Sequence, residues 1–106
     1  MNAWFDALGR RFAETASKQG VEMAEPELDA GVADEVLELA RVAAHSKERR
    51  FAPLACFMAG VAVERLRQVG VRSPSAVAAY LRGISQSLEA ETDQDQGMRG
   101  DRSIPK

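Results

Sequence analysis

The chain has 106 residues, 28% charged and 45% hydrophobic, with a formal net charge of −2. Those figures allow one small domain, and with 8 Gly, 4 Pro and a single Cys they exclude a collagen-like or disulfide-framed chain. The apolar content argues against wholesale disorder, and the near-zero charge gives no whole-chain pull toward nucleic acid or a membrane.

The first helix is expected over residues 2–18. Trp4, Phe5, Leu8 and Phe12 share one face at 3.6 residues per turn. On the other side Asp6 precedes Arg10 by four residues and Glu14 precedes Lys18 by four, the favourable order for exposed helix ion pairs. Gly20 is a natural stop. Residues 21–29 (VEMAEPELD) then read as a connector: Pro26 disfavours helix at Glu25, and Asp29 or Asp34 can cap the next helix.

A second helix should run to about residue 46. Its core stripe is Val36, Leu39, Ala40 and Ala43, extended by Val32, with Glu38, Arg41 and His45 on the opposite face. The third helix is expected to start near Pro53 and end at Gly70, a C′ glycine. Leu54, Phe57, Met58 and Val61 form one apolar stripe there, and Ala55, Ala59, Ala62, Leu66 and Val69 nearly complete the circle. A helix apolar almost all round is normally the buried centre of a bundle. Cys56 lies within it and reads as an inert core thiol.

The fourth helix has the clearest start, Ser73 as N-cap and Pro74 at the first helical position. Val77, Leu81, Ile84 and Leu88 form its stripe, with Tyr80 beside them. From about Ala90 the periodicity stops, and residues 91–106 read as a disordered polar tail. The expectation is therefore all-α: a compact bundle of four helices over residues 1–90 and a tail over 91–106.

Residues 1–12 interrupt their apolar positions with Asp6, Arg10 and Arg11, unlike a signal peptide. The longest uncharged stretch, 51–63, is too short to cross a bilayer. Both observations favour a cytoplasmic chain with no membrane association.

The small net charge conceals a segregation. Residues 22–40 hold seven acids (Glu22, Glu25, Glu27, Asp29, Asp34, Glu35, Glu38) and no Lys or Arg. Residues 41–88 hold Arg41, Lys47, Arg49, Arg50, Arg65, Arg67, Arg72 and Arg82 against only Glu48 and Glu64. Much of this suits helix macrodipoles. The loop 46–51 also supports a sharper expectation: Lys47, Arg49 and Arg50 beside the start of the third helix could hold a small anion or nucleotide phosphate. No groove-reading motif or stacking platform accompanies the charge, which argues against nucleic acid.

The chemistry-bearing constellations are absent. One His and one Cys cannot build a Cys/His zinc site. The glycines form neither a P-loop nor a dinucleotide fingerprint, so no cofactor is implied. No carboxylate sits in a recognisably apolar context, and a non-enzymatic chain is expected.

Residues 36–45 (VLELARVAAH), then 49–54 (RRFAPL), then Phe57 and Gly60, Val61 and Ala62 resemble a small actinobacterial-type helical domain of unknown function. Its pattern is a Trp-bearing helix, L-x-L-A-R-x-x-A-H, a short Arg-bearing loop, A-P-L and F-x-x-G-x-A. Trp4 and Leu8 resemble the leading helix, and the match covers roughly residues 3–66. Such domains occur alone or appended to molybdenum cofactor guanylyltransferases, so the resemblance implies an accessory part in molybdopterin–guanine dinucleotide synthesis. It transfers no catalytic residue; Arg41, His45 and Arg50 are the polar positions that match. The expected role is a non-catalytic accessory domain binding a protein partner or a second copy of itself.

Overall fold

The computed structural model describes residues 2–103, with side chains through Asp93. Four helices appear in chain order, α1 (Ala3–Lys18), α2 (Ala30–Ser46), α3 (Phe51–Gln68) and α4 (Pro74–Ser103), and no strand occurs among the described residues. The expected all-α class with four helices is what the chain adopts.

Local chemistry sets the helix ends. Asn2 Oδ1 accepts from the Phe5 N–H at 3.2 Å and Asp29 Oδ2 from Val32 N–H at 3.0 Å, so Asp29 rather than Asp34 caps α2. Ser73 Oγ accepts from Ala76 N–H at 3.2 Å, with Pro74 opening α4. Both α1 and α3 end in Schellman motifs. Gly20 (φ 81°) and Gly70 (φ 98°) take the left-handed conformation, while Val21 and Val71 donate back to the carbonyls of Ala16 and Leu66, each at 2.9 Å. The third helix starts two residues earlier than expected, at Phe51, leaving Pro53 in its first turn where no amide hydrogen is required.

Packing follows a different order from the one expected. The centre of the fold is α2, not α3. Both α3 and α4 lie along α2, whereas α1 packs along none of the three. The core is Ala33, Leu39, Val42 and Ala43 of α2 with Val77 and Leu81 of α4. No residue of α3 is buried. Contact on two sides widens the buried arc of α2, so Ala33 and Val42 join Leu39 and Ala43, while Val32, Val36 and Ala40 are only half-buried. On α4 the buried line runs Val77, Leu81, Ser85, and Ile84 is turned outward.

Cross-helix pairs fix the directions. Glu35 meets Arg82 and Ser46 meets Thr92, so α2 and α4 run parallel, while α3, following α2 in the chain, returns antiparallel along another side of it. The expected bundle is thus three packed helices and one set apart, with principal extents of 63 × 27 × 25 Å. The tail expected from residue 91 begins on α4: Thr92 Oγ1 donates to the Leu88 carbonyl at 3.1 Å and lies 3.0 Å from Ser46 Oγ. The side chains of 94–106, where most of that tail falls, lie outside the described residues.

The connector folds back onto α1. Gly9 is the buried residue of that helix, and a Cβ placed on it would stand 2.5 Å from the Pro26 carbonyl oxygen. Backbone meets backbone there, and only glycine permits the approach.

Candidate functional site

The surface that distinguishes this fold arises from how α3 meets α2. Ala52, Ala55, Cys56, Ala59 and Ala62 face inward and are half-buried. Their small side chains let the two helices approach closely. The bulky stripe expected in the core, Leu54, Phe57, Met58 and Val61, therefore turns to solvent. Phe57 and Met58 are 74% and 71% exposed. The stripe keeps its expected spacing and takes the opposite direction. Four bulky apolar side chains exposed on one helix face form an unusual patch for a domain with no partner.

An apolar groove lies beside this stripe, between α3 and α4. Leu39 of α2 forms its floor; Met58, Ala59 and Ala62 form one wall, and Tyr80, Ile84 and Leu88 the other, around about 250 Å³. It continues past Met58 and Leu88 into a second stretch bounded by Ala43, Lys47, Phe51 and Leu54. An open channel floored by one helix and walled by two is the shape that accepts another amphipathic helix.

The polar positions fall elsewhere. Arg41 and His45, about one helical turn apart, line a polar cleft with Ser46, Glu89, Thr92 and Asp93, where the second half of α2 meets α4. Arg41 grips Glu38 with two bonds, Nε to Oε1 at 3.0 Å and a terminal nitrogen to Oε2 at 2.6 Å, and reaches Glu89 at 3.2 Å. Those hydrogen bonds hold the Glu38 carboxyl below its ordinary range and push Arg41 further up. The arrangement ties α4 to α2 and leaves the guanidinium occupied.

The loop residues Lys47, Arg49 and Arg50 are all exposed. Arg50 Nε pairs with Glu48 at 2.9 Å. Lys47 borders the apolar groove. At the start of α3 the Phe51 and Ala52 N–H groups donate to the carbonyls of Glu48 and Arg49, at 3.0 and 3.1 Å, and Pro53 has no N–H. The free amides that an anion at this helix start would use are thus engaged at Phe51 and Ala52.

Cys56 Sγ approaches the Val36 carbonyl at 3.8 Å, and burial pushes its thiol above the ordinary value. A protonated thiol turned into a helix contact is a packing group, not a nucleophile. Among the described residues no cluster of His, Cys, Asp and Glu is placed to hold a metal ion, and no helix is long and apolar enough to cross a membrane.

Residues 1–96 match the model of a family described as a domain of unknown function (DUF6457). No curated protein and no solved structure matches the chain.

Proposed function

We propose, for a chain that belongs to the DUF6457 domain family, the role of a non-catalytic interaction domain that presents α3 to a protein partner. The observation that carries this reading is the outward stripe Leu54, Phe57, Met58 and Val61, bulky and apolar on a helix whose half-buried side is mostly alanine and Cys56, with Val63 and Leu66 toward its end. Burying such a face against a partner releases the water it now orders, at about 25 cal/mol per Å² of apolar area. Phe57 would act as its anchor, since aromatic side chains concentrate binding energy at protein interfaces.

The partner class we favour is a molybdenum cofactor guanylyltransferase. Support comes from the residues that resemble the domain appended to such enzymes, Phe57, Gly60, Val61 and Ala62 on α3 and the 36–45 segment on α2. In that role the chain contributes contact and placement, while nucleotidyl transfer belongs to the enzyme.

Calorimetric titration of the purified chain into a purified guanylyltransferase tests the reading. Saturable binding that weakens at least tenfold in Phe57→Asp is expected, with no transfer from GTP by the chain alone. Absence of binding, or binding indifferent to Phe57→Asp, would overturn it.

A further inference from the structure

The groove between α3 and α4 is the vacant position of a four-helix arrangement, and α1 is a helix with no packed partner among α2, α3 and α4. Trp4 and Phe12 are 65% and 53% exposed on its amphipathic face. We infer that the groove receives α1 of a second copy of this chain, and that the two copies exchange their α1 helices reciprocally. The inference rests on reading α3 as an interaction helix, and it gives the groove, which shares Leu54 and Met58 with the stripe, an occupant of its own, leaving Phe57 and Val61 to the other partner.

Dimensions agree. With 16 residues α1 spans about 24 Å at 1.5 Å per residue, against about 27 Å for the 18 residues of α3.

A short tether hinders a chain from seating the whole of α1 in its own groove while its connector stays folded. Pro26 is seated against Gly9 at the middle of α1, leaving residues 27–29 to reach Ala30. Three extended residues cover only about 10 Å. The far half of the groove, at Ala43, Phe51 and Leu54, lies some 13 residues further along α2, or about 20 Å. A second molecule has no such tether.

Charge supports the same pairing. The connector that accompanies α1 carries Glu22, Glu25 and Glu27, all exposed and in no ion pair among the described residues. Lys47 borders one end of the groove, with Arg49 two residues further along the same loop, and α3 runs on past the other end into Arg65, all three without ion pairs among the described residues. α1 itself is nearly balanced, with Arg10, Arg11 and Lys18 against Asp6 and Glu14. The complementarity a two-fold dimer uses therefore lies between the acidic connector and the basic ends of the groove.

Area is sufficient. Aromatic side chains bury roughly 150–250 Å² each. The exposed parts of four rings in a reciprocal pair, with the groove walls they cover, reach on the order of 1,000 Å², near the lower bound for specific interfaces.

Sedimentation equilibrium over a wide concentration range, read together with emission from Trp4, the single tryptophan, tests the exchange. The expected result is a mass of twice 11.5 kDa, with Trp4 emission shifting to the blue as the dimer forms. Trp4→Glu and Met58→Glu change exposed side chains, so each should stay helical by circular dichroism yet sediment as a monomer. Mixed, they should recover a weaker dimer, because one intact α1 then meets one intact groove. A monomer with solvent-exposed Trp4 at every concentration would overturn the inference. So would a monomer whose Trp4 is shielded independently of concentration, which means self-docking, or a dimer indifferent to Met58→Glu. Guanylyltransferase binding is read separately through Phe57→Asp, so either conclusion can fail without the other.

Discussion

Arg82 delivers both Nε and a terminal nitrogen to one oxygen of Glu35, at 3.1 and 2.8 Å, and so joins α4 to α2 near their N-terminal halves. The Glu35 side chain is only 17% exposed, whereas Arg82 remains half in solvent. This pair should therefore exceed the other ion pairs in value without reaching that of a buried bridge. Arg82→Ala is expected to lower stability by about 1 kcal/mol in urea unfolding, and a double-mutant cycle with Glu35→Gln should return a coupling of about 0.5–1 kcal/mol. The same cycle on Glu64 and Arg67, both exposed, should return close to nothing.

Leu81 and Ser85 stand one turn apart on the buried line of α4 and should respond in opposite directions. Leu81 is 1% exposed, and Leu81→Ala removes its contacts with the α2 core. A loss of about 2–5 kcal/mol is expected, enough to leave a domain of this size largely unfolded. Ser85 Oγ is buried with no hydrogen-bond partner. Ser85→Ala relieves that desolvation and should raise the thermal midpoint, by about 0.5–1 kcal/mol of stability.

The Glu38 carboxyl is held below its ordinary value of 4.5, first by the hydrogen bonds from Arg41 and then by the attraction of its charge. A lowered folded value means that the pair contributes fully above 4.5 and loses its contribution as pH falls through the folded value. Carboxyl NMR titration should place Glu38 below 4.5 in the parent chain. In Arg41→Gln its midpoint should move back up, and the acid limb of unfolding should become shallower.

Gly9→Ala separates helix propensity from connector docking. Alanine favours α1 by about 1 kcal/mol over glycine. Its Cβ nevertheless meets the Pro26 carbonyl, a backbone atom that cannot swing away. Helical signal from α1 should hold or rise, while residues 21–29 detach and are cleaved severalfold faster by a protease.

The helix ends are legible in the sequence because capping is local. Asn2 aside, Gly20, Gly70 and Ser73 with Pro74 can be identified from type and spacing alone, and the cap of α2 narrows to Asp29 or Asp34. The start of α3 at Phe51, which has no side-chain cap, falls two residues before the Pro53 that marks it. Periodicity also groups Leu54, Phe57, Met58 and Val61 correctly. It does not say which of two apolar arcs of α3 faces α2, since a single helix carries no record of how closely its neighbour approaches. Alanines and Cys56 take the inward side by permitting closeness, which propensity and hydropathy do not score. Contact between distant segments decides the rest. The pairing of Arg41 with Glu89, and the folding of Pro26 onto Gly9, depend on chain geometry that no spacing encodes.

Because the α3 seam rests on alanines turned inward, the bulky outward positions are free of any duty to the core. Mutation can rewrite Phe57 or Val61 at the exposed face while the domain goes on folding as before. On the proposed role, specificity and foldability would be stored in different residues of the same 18-residue helix, and partners could change without first rebuilding the scaffold.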